Sequence, residues 1–283
     1  MQLARRRGTA LVALVALVLV AAGWDPGLRL RCVASPYPAE ANYYEDLTQC
    51  TGDGRWLVAV HSGNGSGISC PGPRAQSFPF NEAGSPSTLG WEPTRGGWAV
   101  TLATDFRAAP HPCGTDYWTW GMFFDHVHHD GGPLPRPDRV RFTATVTYSD
   151  SVSSGSAKGM ASWQGYWDGL ARYVEVVFQS QGLGDAHPDP MVINAPALPN
   201  MQYVLVDGAA FGITVPRDTA TRLKVPWDRV VKKLIAKGYL TAPTDWTTTQ
   251  TTAVGLGHEV KGNQMATVRF ERFLVSEVQT TTA

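Results

Sequence analysis

The sequence predicts an all-β sandwich carrying one short α-helix at about 227–238. Three observations lead there. Runs of β-branched and aromatic residues with two-residue alternation recur along the chain. Clusters of Gly, Pro, Asn and Ser separate them. One segment, Trp227 to Gly238, stands out for apolar residues at helical spacing: Trp227, Val230, Val231, Leu234 and Ile235.

The chain opens on a targeting pattern. Arg5, Arg6 and Arg7 precede an unbroken apolar run from Ala10 to Ala22 that closes on small residues. This reads as a signal peptide over 1–22, too short for a membrane span, with Val20-Ala21-Ala22 as a cleavage triplet. Residues 23–283 then form a single β-sandwich domain, since no repeat or composition shift marks a second one. The expected product is secreted (extracellular), monomeric and free of the membrane after cleavage. Net charge is zero and only 17% of residues are charged, which gives no electrostatic reason to expect nucleic acid as a partner. Export makes Cys32, Cys50, Cys70 and Cys113 readable as two disulfides, with three pairings open. Their spacing matches no zinc pattern.

Strands follow in order: Arg55 to His61, Trp98 to Phe106, Tyr117 to His128 and Arg139 to Ser149. In the last, Val140, Phe142, Ala144, Val146 and Tyr148 alternate with Arg141, Thr143, Thr145 and Thr147. Ser149 to Lys158 reads as a polar loop. In the strand Ala171 to Gln179, Val174, Val176 and Phe178 share a packing face, and Tyr173, Glu175, Val177 and Gln179 share the other. Gly182 to Asp189 reads as a loop. Gln202–Asp207 and Ala210–Val215 read as a hairpin around Asp207-Gly208. In the helix, Pro226 suits the start, Gly238 the C-cap, and Lys232, Lys233 and Lys237 the C-terminal end. Thr251 to Val260 and Ala266 to Val278 complete the sheets.

The acids on these strands are the candidate chemistry. Glu175 is a lone acid on its face. Glu259 shares a face with Ala253, Gly255 and Gly257. Strand glycines mark close approach by a ligand or by another backbone, or a bend, and both readings stay open here. Asp125-His126-Val127-His128-His129-Asp130 has the density of a transition-metal site, but no third ligand is fixed elsewhere, and a polar strand end is the simpler reading. No metal or other cofactor is expected.

The order Tyr173-Val174-Glu175-Val176-Val177-Phe178, a hairpin, a lone amphipathic helix, then Gly257-His258-Glu259 and a last alternating strand resembles family-twelve glycoside hydrolases. The resemblance spans roughly residues 139–278. It implies a concanavalin-like β-jelly-roll sandwich and an endoglucanase-type enzyme acting on β-linked glucan. It implies Glu175 as the nucleophile and Glu259 as the acid/base, the latter with a raised pKa, in a retaining mechanism with the carboxyls about 5–5.5 Å apart. The chain departs from the family in having Val177-Phe178-Gln179 after the nucleophile, where a Glu-x-x-Ile-Trp pattern is usual, and Val260 where a Pro is usual. The family's Asp beside the nucleophile has Asp150 and Asp168 as candidates. The implied partner is a polysaccharide, a β-glucan or related glycan, with Trp118, Trp120, Trp163, Tyr166 and Trp167 as candidate sugar-stacking residues. The alternative from a different class is a carbohydrate-binding protein on the same sandwich, without turnover.

Overall fold

A computed structural model describes residues 47–50, 56–64, 86–94, 97–108, 117–125, 132–151, 157–178, 191–193 and 201–278. Alternation governs what these residues form. In Val140–Asp150, every second residue is buried and those between are half-buried, as the apolar/polar pattern dictates. The strands are β1 (Leu47–Cys50), β2 (Trp56–Asn64), β3 (Ser87–Thr94), β4 (Gly97–Asp105), β5 (Tyr117–Asp125), β6 (Val140–Asp150) and β7 (Ala157–Trp167). They continue as β8 (Leu170–Phe178), β9 (Met191–Ile193), β10 (Met201–Asp207), β11 (Thr221–Val225), β12 (Gln250–Lys261) and β13 (Met265–Glu277). The one α-helix among the described residues is α1 (Trp227–Ala236).

These strands make two sheets, a β-jelly-roll sandwich. One has eight strands in the order β1-β2-β5-β12-β7-β8-β10-β9, the other five in the order β11-β6-β13-β4-β3. Their inner faces share one core. Phe123 of the larger sheet packs on Phe270 of the smaller at 5.3 Å between ring centroids, and Tyr148 meets Phe178 edge-on at 5.6 Å. Val174, Val176 and Phe178 belong to this core, as the alternation of β8 requires. The larger sheet carries a second apolar group on its outer face, made of Met122, Phe124, Met160, Val177 and Ala253.

The helix ends as its sequence indicates. Gly238 takes φ 77°, its N–H donates to the Ile235 carbonyl, and the Tyr239 N–H donates to the Leu234 carbonyl. These paired bonds satisfy carbonyls that the last turn would leave open. Trp227, Val230, Val231 and Leu234 are the buried stripe.

Two expectations fail. The Asp207-Gly208 hairpin does not form: Asp207 instead caps a 3-10 turn over Gly208–Phe211, and β10 pairs with β8 in parallel. Lys158 is no loop residue but lies in β7, a strand poor in β-branched residues and rich in Ala and Gly, which masks its propensity. The signal peptide, the Gly182 to Asp189 loop, His126, His128, His129, Cys32, Cys70 and Cys113 lie outside the described residues, as does the Cys50 side chain.

Candidate active site

The outer face of the eight-stranded sheet brings the two acids together. Strand β7 lies between β12 and β8. Glu259 pairs across from Lys158 on β7, and Glu175 pairs across from Ser162. Direct cross-strand partners share a face, so Glu259, Lys158, Met160, Ser162 and Glu175 all point outward from the core. On the far side of β8, Tyr203 of β10 stands opposite Tyr173.

Lys158 is the hub. Its Nζ lies 2.7 Å from Glu259 Oε1, and the two side chains are 13% and 22% exposed. Burial pushes the Lys158 ammonium toward neutrality, but the Glu259 charge and hydrogen bond, with Glu175 behind them, outweigh burial and raise its pKa. Glu175 is 3% exposed. The Tyr173 hydroxyl donates to its Oε1 at 2.8 Å, and the Tyr203 hydroxyl donates to its Oε2. Burial raises the Glu175 carboxyl above its ordinary range and the Glu259 charge adds to that. Tyr203, Lys158 and Tyr173 pull the other way without cancelling it.

The glycines beside Glu259 have a structural cause. A Cβ at Gly257 would stand 1.9 Å from the Gly121 carbonyl oxygen and 2.3 Å from Met122 Sδ. One at Gly255 would stand 2.5 Å from the Phe124 ring. The bare stretch of β12 is filled by β5, not left open for a ligand.

The aromatic candidates divide. Trp163 and Trp167 are 0% and 1% exposed in the inter-sheet core, where the Trp163 indole N–H donates to Thr251 Oγ1 at 3.2 Å. They are corrected from sugar-stacking residues to core residues, because odd positions of β7 face inward. Tyr166, on the outward phase of the same strand, is 46% exposed. Trp118 and Trp120 lie on β5, with Trp120 in register with Glu259. Neither candidate for the Asp beside the nucleophile is there. Asp150 ends β6 in the other sheet, and Asp168 sits in the turn after β7, accepting a bond from the Thr244 N–H at 2.9 Å.

Sequence reasoning missed Lys158 and Tyr203. Lys158 is in phase with Met160, Ser162 and Gln164 on an alternating strand, a signal that the glycines of β7 obscure. Tyr203 reaches Glu175 only through the parallel pairing of β10 with β8. No cluster of His, Cys, Asp and Glu able to hold a metal occurs among the described residues. No helix there is long and apolar enough to cross a membrane.

No protein-family model matches the chain, and no curated protein matches it. Solved structures do. A family 12 xyloglucanase from Bacillus licheniformis in complex with ligand is 9% identical, with 82% of this chain and 96% of that chain covered and a TM-score of 0.43. Endoglucanase Cel12A from Rhodothermus marinus is 13% identical, with coverage of 82% and 96% and a TM-score of 0.41. Endoglucanase 3 of Trichoderma harzianum, from family GH12, is 9% identical, with coverage of 83% and 95% and a TM-score of 0.44. The chain is similar to these in fold.

Proposed function

We propose that this protein is a secreted glycoside hydrolase acting on β-linked glucan, with Glu175 and Glu259 as its two working carboxyls. The observation that carries the reading is their placement on one sheet face, around a shared lysine, in environments that differ. Two carboxyls with unlike surroundings are what glycosidic bond cleavage requires: one gives a proton to the leaving oxygen, the other acts as an anion at the anomeric centre. The motif resemblance supports β-glucan as the substrate class and a retaining course. The basic and apolar leader supports removal of residues 1–22 and export of a single domain, 23–283. Trp118, Trp120 and Tyr166 are the aromatic residues proposed to meet sugar rings.

Reducing-sugar release from soluble β-glucans and xyloglucan tests this with wild type, Glu175→Gln and Glu259→Gln. Each variant should fall by at least about 10²-fold. Full activity in either would sink the two-carboxylate reading. A second reading, glycan binding without turnover, is favoured by the exposed Tyr166 ring on the same sheet face. Retention on insoluble glucan with no release of sugar by wild type would select it.

A further inference from the structure

The Glu175 carboxyl is met from its own strand and from both neighbours. Two positions back on β8, the Tyr173 hydroxyl donates to Oε1 at 2.8 Å. From β10, the Tyr203 hydroxyl donates to Oε2. From β7, Ser162 stands directly across. The parallel register sets Tyr203 beside Tyr173, and their rings pack at 5.4 Å between centroids and 42° between planes. Each ring therefore braces the other, and each carboxyl oxygen has its own donor. The charged groups that bear on Glu175 are Glu259 of β12 and Lys158 of β7. Level with it on β10 is Leu205, and Asp207 further along accepts the Ala209 N–H at 2.8 Å. Asp150 and Asp168 lie elsewhere, so phenols stand where the sequence resemblance expects a neighbouring Asp.

We propose that Tyr173 and Tyr203 are positioning residues: one phenol on each oxygen holds the Glu175 carboxylate in a fixed plane for attack on the anomeric carbon. This rests on the hydrolase reading and keeps the roles that the resemblance implies. A buried carboxylate without donors turns freely about its last side-chain bond and is driven to take up a proton. Two hydroxyl donors oppose both tendencies. Their bonds to the anion are charge-assisted and in place before a substrate arrives, so nothing has to reorganise during the reaction. Each oxygen keeps a further lone pair. One oxygen can therefore bond to the anomeric carbon while the other retains its phenol. The glycosidic C–O bond breaks, its electron pair leaves with the oxygen, and that oxygen takes its proton from the second carboxyl. Tyr173 rides on the same strand as Glu175, whereas Tyr203 ties the carboxyl to a separate strand.

The test is the pair Y173F and Y203F, which remove one hydroxyl each and keep both rings. Carboxyl ¹³C NMR of protein labelled at glutamate Cδ follows Glu175, with Glu175→Gln used only to assign its signal. The Glu175 titration midpoint should rise by at least about one pH unit in each variant. Rates on soluble β-glucan are then taken above the shifted midpoint, where Glu175 is ionised again. There kcat should still be down by at least about 10-fold, with KM within about twofold of wild type. An unmoved midpoint in both folded variants overturns the inference. A shift in one variant alone overturns the two-donor arrangement. Full kcat above the shifted midpoint also overturns it, since the phenols would then only solvate the carboxyl. Any of these results with glucan hydrolysis by wild type leaves the hydrolase reading intact. No hydrolysis of any glucan by wild type removes that reading and the inference together.

Discussion

His258 is one residue from Glu259 yet faces the opposite way, into the core, where it is 0% exposed. Its Nε2 lies 2.7 Å from Thr104 Oγ1, which lies 2.9 Å from Ser87 Oγ, so the ring joins the two sheets. Burial pushes its pKa down from 6.5 to about 3. The unfolded chain therefore binds the extra proton first. The stability tied to the neutral ring is fully present above 6.5 and is lost as pH falls toward about 3. In urea melts, this residue should contribute a fall of about 1.4 kcal/mol per pH unit inside that window, and His258→Gln should remove that slope. Glu175 works with the opposite sign. Its carboxyl is raised above the ordinary 4.5, so the stability it contributes is present below that value and lost as pH rises through the folded pKa. Glu175→Gln should therefore lose activity while gaining thermal stability relative to wild type as pH rises above 4.5. A melting temperature that tracks wild type as pH rises would count against a raised Glu175 carboxyl.

At the scale of elements, glycine plays two separate roles. Gly257 lies in a strand interior where a Cβ would meet the backbone oxygen of Gly121 at 1.9 Å, and backbone cannot swing aside. Gly257→Ala should cost about 3 kcal/mol or more, read from the urea midpoint. Gly238 has nothing within 4 Å of its Cβ position and is needed only for φ 77° after α1. Gly238→Ala should cost about 1–2 kcal/mol. Equal costs would mean that strand crowding is not what selects Gly257. The element boundaries show where sequence reasoning works. β6, β8 and α1 are legible because their periodicity is strong and their side chains pack where the period points. β7 is illegible because its inward positions include Ala157, Gly159, Ala161 and Gly165, chosen for close packing: a Cβ on Gly159 would stand 2.0 Å from the Phe178 ring.

Across the whole sandwich, the core is shared between sheets, and its largest members come from strands far apart in sequence. Trp163 touches Trp167 at 5.9 Å between ring centroids and bonds Thr251 on β12. Trp163→Ala should lower stability by about 3–5 kcal/mol, in a single transition with an unchanged urea slope. Glucan binding measured on the folded fraction should stay as in wild type, since the ring is 0% exposed. Lost binding with intact stability would return Trp163 to the sugar site.

The sequence by itself determined the all-β class, the helix α1 and its glycine stop, and which face of β8 and β12 carries each acid. These follow from periods of 2 and 3.6, which are local properties of the backbone. Only the tertiary structure decided that β7 separates those strands, that Lys158 stands opposite Glu259, and that β10 runs parallel to β8 and delivers Tyr203 to Glu175. Strand order and register depend on which side chains fit against one another across the sheet, and alternation along one strand carries no record of its neighbour.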